Sequence, residues 1–447
     1  MNSEGIFSSQ VSIFMELMFS DLKNLGKRIE EARTNDKITK KARLPISIDF
    51  LAPHPFKTGA MIVLNKHVQL LRDAGNRVRV FSYSPTPRWW VGDVKWTLVP
   101  MSESLSANAD ADLCVATIFD QIPEAVILNH RKTLLFEQGS EALFTWGSNN
   151  KMQTAIYLLP SMVSTVSKYA QNAIYKYGRS SYICPNGIES EYFFDDGKKK
   201  QQNLVVVVTN QDVELKRTNL AIESAIELRR RGFVTIIISN REISGFNDIL
   251  NRFEIKNIVN PSRRRTGEIM RRASFMVHTS RYESFGLPPL EAMACGVSVV
   301  GTDSHGLMEY AKIGKSFFKT YADPYTIAEA TVRASEISQE KRRKWAVDSA
   351  SGFSWDEIGK KYVLPMYRLA SAKNKPSIVD IRLMNVHAQT PPLNLEIRRR
   401  INTIGEDIPD EADYLFIEDG SVITPQIIGS TLGKKDDLKT LIKLKSD

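Results

Sequence analysis

The chain alternates short apolar runs with longer stretches whose apolar positions recur every three or four residues. The first kind reads as buried strand, the second as amphipathic helix. Ile46-Ser47-Ile48-Asp49-Phe50-Leu51 is the first run. A loop through Gly59 follows, then a helical pattern from Ala60 to Ala74 that stops at Gly75, a usual residue just past a helix end. Val78 to Phe81 is the next strand, and the whole is a βαβ unit. Further strands are predicted at Ala111 to Ala116, Thr133 to Phe136, Met162 to Val166 and Tyr182 to Cys184. After the turn Pro185-Asn186-Gly187 and a polar stretch through Lys198-Lys199-Lys200, the series begins again at Leu204 to Val208. A helix from Thr218 to Arg231 follows, with strands at Val234 to Ser239, Asn257 to Asn260, Phe275 to His278, Val297 to Val300 and Ser316 to Phe318.

This alternation predicts an α/β protein with two Rossmann-like, doubly wound domains. Such sheets bind ligands beyond the carboxyl ends of their strands, so two of them facing a central cleft suit a donor and an acceptor. The expected boundaries are a helical extension over 1–43, a first domain over 44–187, a linker over 188–202 and a second domain over 203–353. A returning helix over 354–370 and an extension over 371–447 complete the chain. The extension has no assigned role and carries short strands at Ser377 to Leu383 and Tyr414 to Ile417.

Composition adds limits. With 447 residues, 42% of them hydrophobic, the chain suits a folded protein of roughly two or three domains. No run approaches the ~20 apolar residues of a membrane span. The start, Met1-Asn2-Ser3-Glu4, lacks the basic region and cleavage site of a secretory signal. Cys114, Cys184 and Cys295 lie among apolar or small residues without metal-ligand spacing, which reads as buried thiols in a cytoplasmic protein. The net charge of +9 favours anionic partners such as a nucleotide, a lipid surface or a nucleic acid. Nucleic acid is disfavoured. Arg229-Arg230-Arg231 and Arg263-Arg264-Arg265 sit at a helix end and a helix start and read as solvated faces, Arg398-Arg399-Arg400 lies in the extension, and no zinc spacing or aromatic-basic motif accompanies them. Phe14, Met15, Leu17, Met18, Leu22 and Leu25 fall at helical spacing beside Lys23, Lys27 and Arg28. That stretch suits packing on its own domain, or a peripheral association with the cytoplasmic face of a membrane. The pair Trp89-Trp90 suits a core cap or an acceptor surface.

The chemistry concentrates between Thr279 and Gly296. The strand Phe275 to His278 runs into a loop, Arg281-Tyr282-Glu283-Ser284-Phe285-Gly286-Leu287, and then into a short helix opened by Pro288-Pro289 and closed at Gly296. Unpaired N–H groups of the loop, reinforced by the helix dipole, make an anion site suited to a diphosphate. Glu283 and Glu291 are eight residues apart, which on a helix leaves them within about 80° of one face. One carboxylate can then reach a sugar and the other a ribose, since each oxygen accepts bonds from vicinal hydroxyls.

This segment resembles the Glu-x7-Glu signature of glycosyltransferase family 4, whose members are retaining enzymes of GT-B fold. Pro185-Asn186-Gly187-Ile188-Glu189 resembles the family's turn between domains. Ser304-His305-Gly306-Leu307-Met308-Glu309 resembles its Gly-Gly-x-x-Glu segment, with His305 in place of the first glycine. Phe353-Ser354-Trp355 resembles the start of its returning helix, and Thr58-Gly59 its glycine pair on the first loop. The likeness spans about residues 44 to 370 and is strongest over 274 to 310.

The resemblance implies transfer of a sugar from a nucleoside diphosphate to an acceptor hydroxyl, with no metal and no cofactor. Glu283 and Lys216 would be catalytic. Glu291 would hold the ribose. Ser284, Phe285, Gly286 and Leu287 would line the sugar and phosphates, together with Thr58, Gly59 and Arg217. The acceptor side would involve His54, Glu137 and Gln138, and the acceptor would be a glycan or a lipid-linked sugar. Two departures stand out. Thr209-Asn210-Gln211 holds no cation where the family has an arginine before the lysine, and Thr117 stands where it often has a histidine. They keep a second class open, a nucleotide-sugar-binding scaffold without catalysis. A phosphorylase or an epimerase on the same fold is the other enzymatic option.

Overall fold

The computed structural model describes residues 45–100, 111–118, 121–122, 125, 132–139, 157, 160–175 and 181–372, together with the strand backbones 378–381, 414–416 and 422–423. The helix expected within 1–43 and most of the extension lie outside the described residues. The chain divides into two compact units, one of Met1–Thr165, Gln171–Ile183 and Val363–Asp447, the other of Val166–Ala170 and Cys184–Tyr362.

The first unit is built on a parallel sheet of β1 (Ser47–Leu51), β2 (Arg77–Ser82), β3 (Trp96–Leu98), β4 (Leu113–Ala116), β5 (Lys132–Glu137), β6 (Met162–Thr165) and β7 (Tyr182–Ile183). Their order is β3-β2-β1-β4-β5-β6-β7. β1 lies near the centre, and Ile48, Phe50 and Leu51 are fully buried, as a continuous apolar run requires. Helix α1 (Gly59–Asp73) buries Met61, Val63, Leu64, Val68 and Leu71. Thr58 caps it, its hydroxyl accepting from the Met61 N–H at 3.3 Å. Strand β3 is absent from the sequence expectation because only Trp96 of its three residues is buried, so no apolar run marks it. Trp90 is buried edge-on to Trp96 at 5.1 Å, and the Trp89 indole donates to the Pro55 carbonyl at 2.8 Å. The pair thus anchors this edge.

Helix α2 (Lys168–Tyr175) precedes β7. The second unit carries a parallel sheet in the order β10-β9-β8-β11-β12-β13. Its strands are β8 (Leu204–Thr209), β9 (Val234–Ser239), β10 (Lys256–Val259), β11 (Phe275–His278), β12 (Ser298–Thr302) and β13 (Phe317–Thr320). The helices between and after them are α3 (Thr218–Arg230), α4 (Asn247–Arg252), α5 (Arg263–Arg272), α6 (Leu287–Ala294), α7 (Pro324–Ser335) and α8 (Gln339–Ala350). Val205, Val207, Ala221, Ile222, Phe275 and Val277 share one buried cluster. Residues 188–202 pack within this unit. Ile188 bridges Ser354, and the buried Lys200 ammonium caps two helix ends by donating to Arg271 O (2.9 Å) and Cys295 O (2.6 Å). Burial lowers the Lys200 pKa to about 8.

The helix expected from Ser354 to Ala370 is broken into α9 (Trp355–Ile358), a π-helical stretch (Gly359–Val363) and α10 (Leu364–Ala372). Pro365 has no N–H to donate back, and the backbone adjusts by widening one turn. In the extension β14 (Ile378–Ile381) pairs in parallel with β15 (Tyr414–Phe416), which pairs antiparallel with β16 (Val422–Ile423). No helix of the described residues is long and apolar enough to cross a membrane.

Two imidazoles are buried in these cores. His67 meets the Tyr367 hydroxyl at 3.0 Å and stacks on Phe136, and burial lowers its pKa to about 3. His278 ends β11, and burial lowers its pKa to about 4. Unfolded, each takes a proton below about pH 6.5. Through the window from 6.5 down to those values the unfolded chain binds more protons, so stability falls on acidification, by up to about 1.4 kcal/mol per pH unit for each histidine. Thermal unfolding at stepped pH should show the midpoint dropping below pH 6.5, and dropping less steeply in His67→Gln. A flat midpoint over that range would refute the assignment of neutral, buried imidazoles.

Candidate functional site

The site grows from the carboxyl end of β11. Two hydrogen bonds tie the loop after β8 to that strand end: Thr279 Oγ1 donates to Lys216 O at 2.9 Å and Arg281 N to Leu215 O at 2.7 Å. Lys216 closes a single 3-10 turn (Glu214–Lys216), and its ammonium forms an ion pair with Glu283. Ser280 Oγ donates to the same carboxylate oxygen at 2.8 Å. Burial acts to raise the Glu283 pKa, but the Lys216 charge, helped by the Lys216 and Ser280 hydrogen bonds, outweighs it and holds the carboxyl below its usual range. His278 Nε2 meets Ser304 Oγ at 2.8 Å on the adjoining loop.

Backbone bonds fix the height of Glu283. Its N–H donates to Ser304 O (3.0 Å), and Gly306 N donates back to Glu283 O (3.0 Å). A Cβ on Gly306 would lie 2.4 Å from Glu283 O, so only glycine admits this approach. The neighbouring His305 sits at φ 68, ψ −60 in a tight turn closed by Gly306 N to Ser304 O at 2.9 Å. A residue with a side chain pays about 1–3 kcal/mol for such a backbone. The His305 ring stacks on Tyr169 at 4.4 Å and lies 5.9 Å from Tyr282, contacts that offset the strain.

Helix α6 begins after Gly286, which caps it at φ 84. Phe285 is buried against Tyr310 and Phe353, so its ring serves the core. The N–H groups of Phe285, Gly286 and Leu287 have no acceptor among the described residues. They form the unpaired head of a helix, a place that favours negative charge. Ser284 lies half-buried in the same loop.

The helical-face argument for the two glutamates fails. Glu283 is a loop residue, and Glu291 is one turn into a helix that starts at Leu287. The two are gathered by the loop instead. Glu291 is 3% exposed. Its Oε1 pairs with Arg263, whose Nε also bonds Glu189 Oε2 at 2.6 Å and whose guanidinium lies 4.5 Å over Phe193. Burial works against the Arg263 charge, while Glu291 and Glu189 outweigh it and raise its pKa. The expectation of solvated arginine runs therefore needs correcting at Arg263. Arg264 and Arg265 do pair with Glu268 on the surface, whereas Arg263 is partly buried between Glu189 and Glu291. The one sequence signal for it was its place at the start of α5, directly after the cap Ser262.

Asn210 stands near Lys216 where a cation was sought, and its side chain accepts from Asp212 N at 3.0 Å. Arg217, in a left-handed conformation at the start of α3, makes no ion pair among the described residues. In the first unit, Thr58 and Gly59 are exposed at the head of α1, and Gln138 Nε2 donates to Ala60 O at 3.2 Å beside them. His54 is half-buried against Phe56, and burial lowers its pKa. Glu137 is turned inward and 1% exposed, accepting from Gly139 N (2.7 Å) and the Tyr157 hydroxyl (3.1 Å). Thr117 Oγ1 donates to Leu51 O at 3.0 Å.

Gly306→Ala should push Glu283 and Phe285 out of register and cost roughly 1–3 kcal/mol or more. Chemical denaturation would register the loss; a variant of wild-type stability would contradict the close approach.

Residues 189–349 match the family described as glycosyl transferases group 1. No curated protein matches the sequence. Among solved structures the chain is similar to HepE from Anabaena in complex with UDP-glucose, with 18% identity, a TM-score of 0.58, and 72% of this chain and 99% of that one covered. It is also similar to sucrose-phosphate synthase from Thermosynechococcus elongatus, with 14% identity, a TM-score of 0.59, and 73% and 100% covered. A third is the pneumococcal O-GlcNAc transferase in complex with UDP and GlcNAc, with 10% identity, a TM-score of 0.54, and 73% and 99% covered. By fold the chain is thus a GT-B protein of two Rossmann-like domains, whose residues 189–349 match the glycosyl transferases group 1 model.

Proposed function

We propose that the chain transfers a sugar from a nucleoside diphosphate to an acceptor hydroxyl, with retention at the anomeric carbon. The observation that carries this is the Lys216–Glu283 pair set beside three unpaired N–H groups at the head of α6, with Glu291 one helical turn further on. A cation and free N–H groups suit a diphosphate, and the carboxylates suit sugar and ribose hydroxyls. Structures similar in fold that hold UDP-glucose, or UDP with GlcNAc, support the reading.

In this reaction the bond from the anomeric carbon to the diphosphate oxygen breaks as the acceptor oxygen bonds to that carbon from the same face. The acceptor's proton goes to the departing phosphate. Lys216, Arg217 and the N–H groups of Phe285, Gly286 and Leu287 stabilise the growing negative charge. Glu283, held ionised by Lys216, accepts from the sugar and stabilises positive charge at its ring. Ser284 lines the sugar, and Glu291 binds the ribose. Thr58 and Gly59 in the first domain serve the diphosphate, while His54 and Gln138 serve the acceptor. No resident metal or cofactor takes part in this scheme. The acceptor is a glycan or lipid-linked sugar, met at the cytoplasmic face of a membrane during polysaccharide synthesis. The neutral Asn210 favours a second reading, donor binding without turnover.

Thermal unfolding with UDP, GDP, ADP, dTDP and CMP and their sugars comes first. Ligand at 100 times its dissociation constant should add about 2.7 kcal/mol to stability. One nucleotide family should stabilise the wild type and not Glu291→Ala. With that donor, Lys216→Ala should lower kcat by roughly 10²–10³-fold, and Glu283→Ala should abolish transfer. Full transfer by Glu283→Ala would sink the mechanism, and tight binding with no transfer to any acceptor would favour the second reading.

A further inference from the structure

Arg263 occupies a place that local electrostatics disfavours. It opens α5, whose first turn carries Arg263, Arg264 and Arg265 and no acidic residue, although the positive end of a helix repels cations. The ion pairs to Glu189 and Glu291 and the stack on Phe193 hold it there. A local rule broken at the cost of burying a charge points to a functional position.

The consequence falls on Glu291. Its Oε1 is taken by Arg263, and Oε2 has no hydrogen-bond donor among the described residues, although the residue is buried. A buried carboxylate without a cation would take up a proton and lose acceptor capacity. Arg263 supplies that cation and holds one oxygen of Glu291, leaving the other, whose two lone pairs suit a vicinal diol. We infer that Arg263 is the positioning residue of the donor site, aiming Glu291 Oε2 at the 2′- and 3′-hydroxyls of a ribonucleotide and making the site reject 2′-deoxyribonucleotides. The inference rests on the donor-site reading of Glu291. Arg263 acts through the carboxylate and touches no reacting atom. A guanidinium bridges two carboxylates from fixed directions, which an ammonium cannot do, so lysine is a partial substitute.

The test measures dissociation constants for UDP, GDP and ADP, each beside its 2′-deoxy counterpart, in wild type, Arg263→Lys and Glu189→Gln. The wild type should bind one ribonucleotide at least roughly tenfold more tightly than its deoxy form, as expected for a lost hydrogen bond to a charged group. Arg263→Lys should lower that ratio severalfold without abolishing binding. Glu189→Gln frees the far side of the same guanidinium and should move the ratio in the same direction by a smaller step, so it carries the test if the lysine variant does not fold. A purely structural arginine would lower the melting temperature of both variants and leave the ratio unchanged, and that result overturns the inference alone. Absence of nucleotide binding by the wild type would overturn the donor-site reading and the inference with it.

Discussion

Burying a carboxylate costs more than most single contacts return, and the second domain takes Glu291 fully and Glu283 partly out of water. Each has a cation: Lys216 for Glu283 and Arg263 for Glu291. The rest of the site follows from keeping those charges compensated. The loop after β8 is tied to Thr279 and Arg281 so that Lys216 reaches Glu283, and α5 is placed so that its first arginine reaches Glu291. For Glu283 the Lys216 charge also keeps the carboxyl below its usual range, in the accepting form that hydroxyl-rich ligands require.

Backbone geometry adds a second constraint. The loop from Glu283 to Gly286 is clasped by Ser304 and Gly306, and the clasp leaves no room for a side chain at Gly306. Its tightness is also why His305 is held in a strained conformation, with its ring stacked on Tyr169 and near Tyr282. With the loop held this way, the N–H groups at the head of α6 stay without an acceptor among the described residues, where an anion can use them. Preorganisation of this kind is what electrostatic stabilisation of a leaving group needs, since the donors do not reorganise during reaction.

Much of the fold was legible because its signals are local. Parallel strands buried on both faces leave continuous apolar runs, and Leu204 to Val208 or Phe275 to His278 could scarcely be anything else. Gly75 and Gly296 mark helix ends through positive φ, a property of one residue. The exceptions had no local signal. β3 shows only one buried residue, and the interruption of the last helix arises where Pro365 removes a donor from a turn that otherwise reads as helix.

For the site, the loop, the helix and the residue types were legible in chain order: Glu283, the Phe285-Gly286-Leu287 turn and Glu291 lie within nine residues, and Lys216 was added only by the resemblance. Tertiary structure decided the partners. Lys216 and Glu283 are 67 residues apart, Arg263 and Glu291 are 28 apart, and Glu189 and Arg263 are 74 apart. No periodicity spans such distances, so beyond its place directly after the cap Ser262 little local told the partly buried Arg263 from the solvated Arg264 beside it. Sheet order sets β8 beside β11, which lets Lys216 after the one reach Glu283 after the other, while α5 brings Arg263 between Glu189 and Glu291.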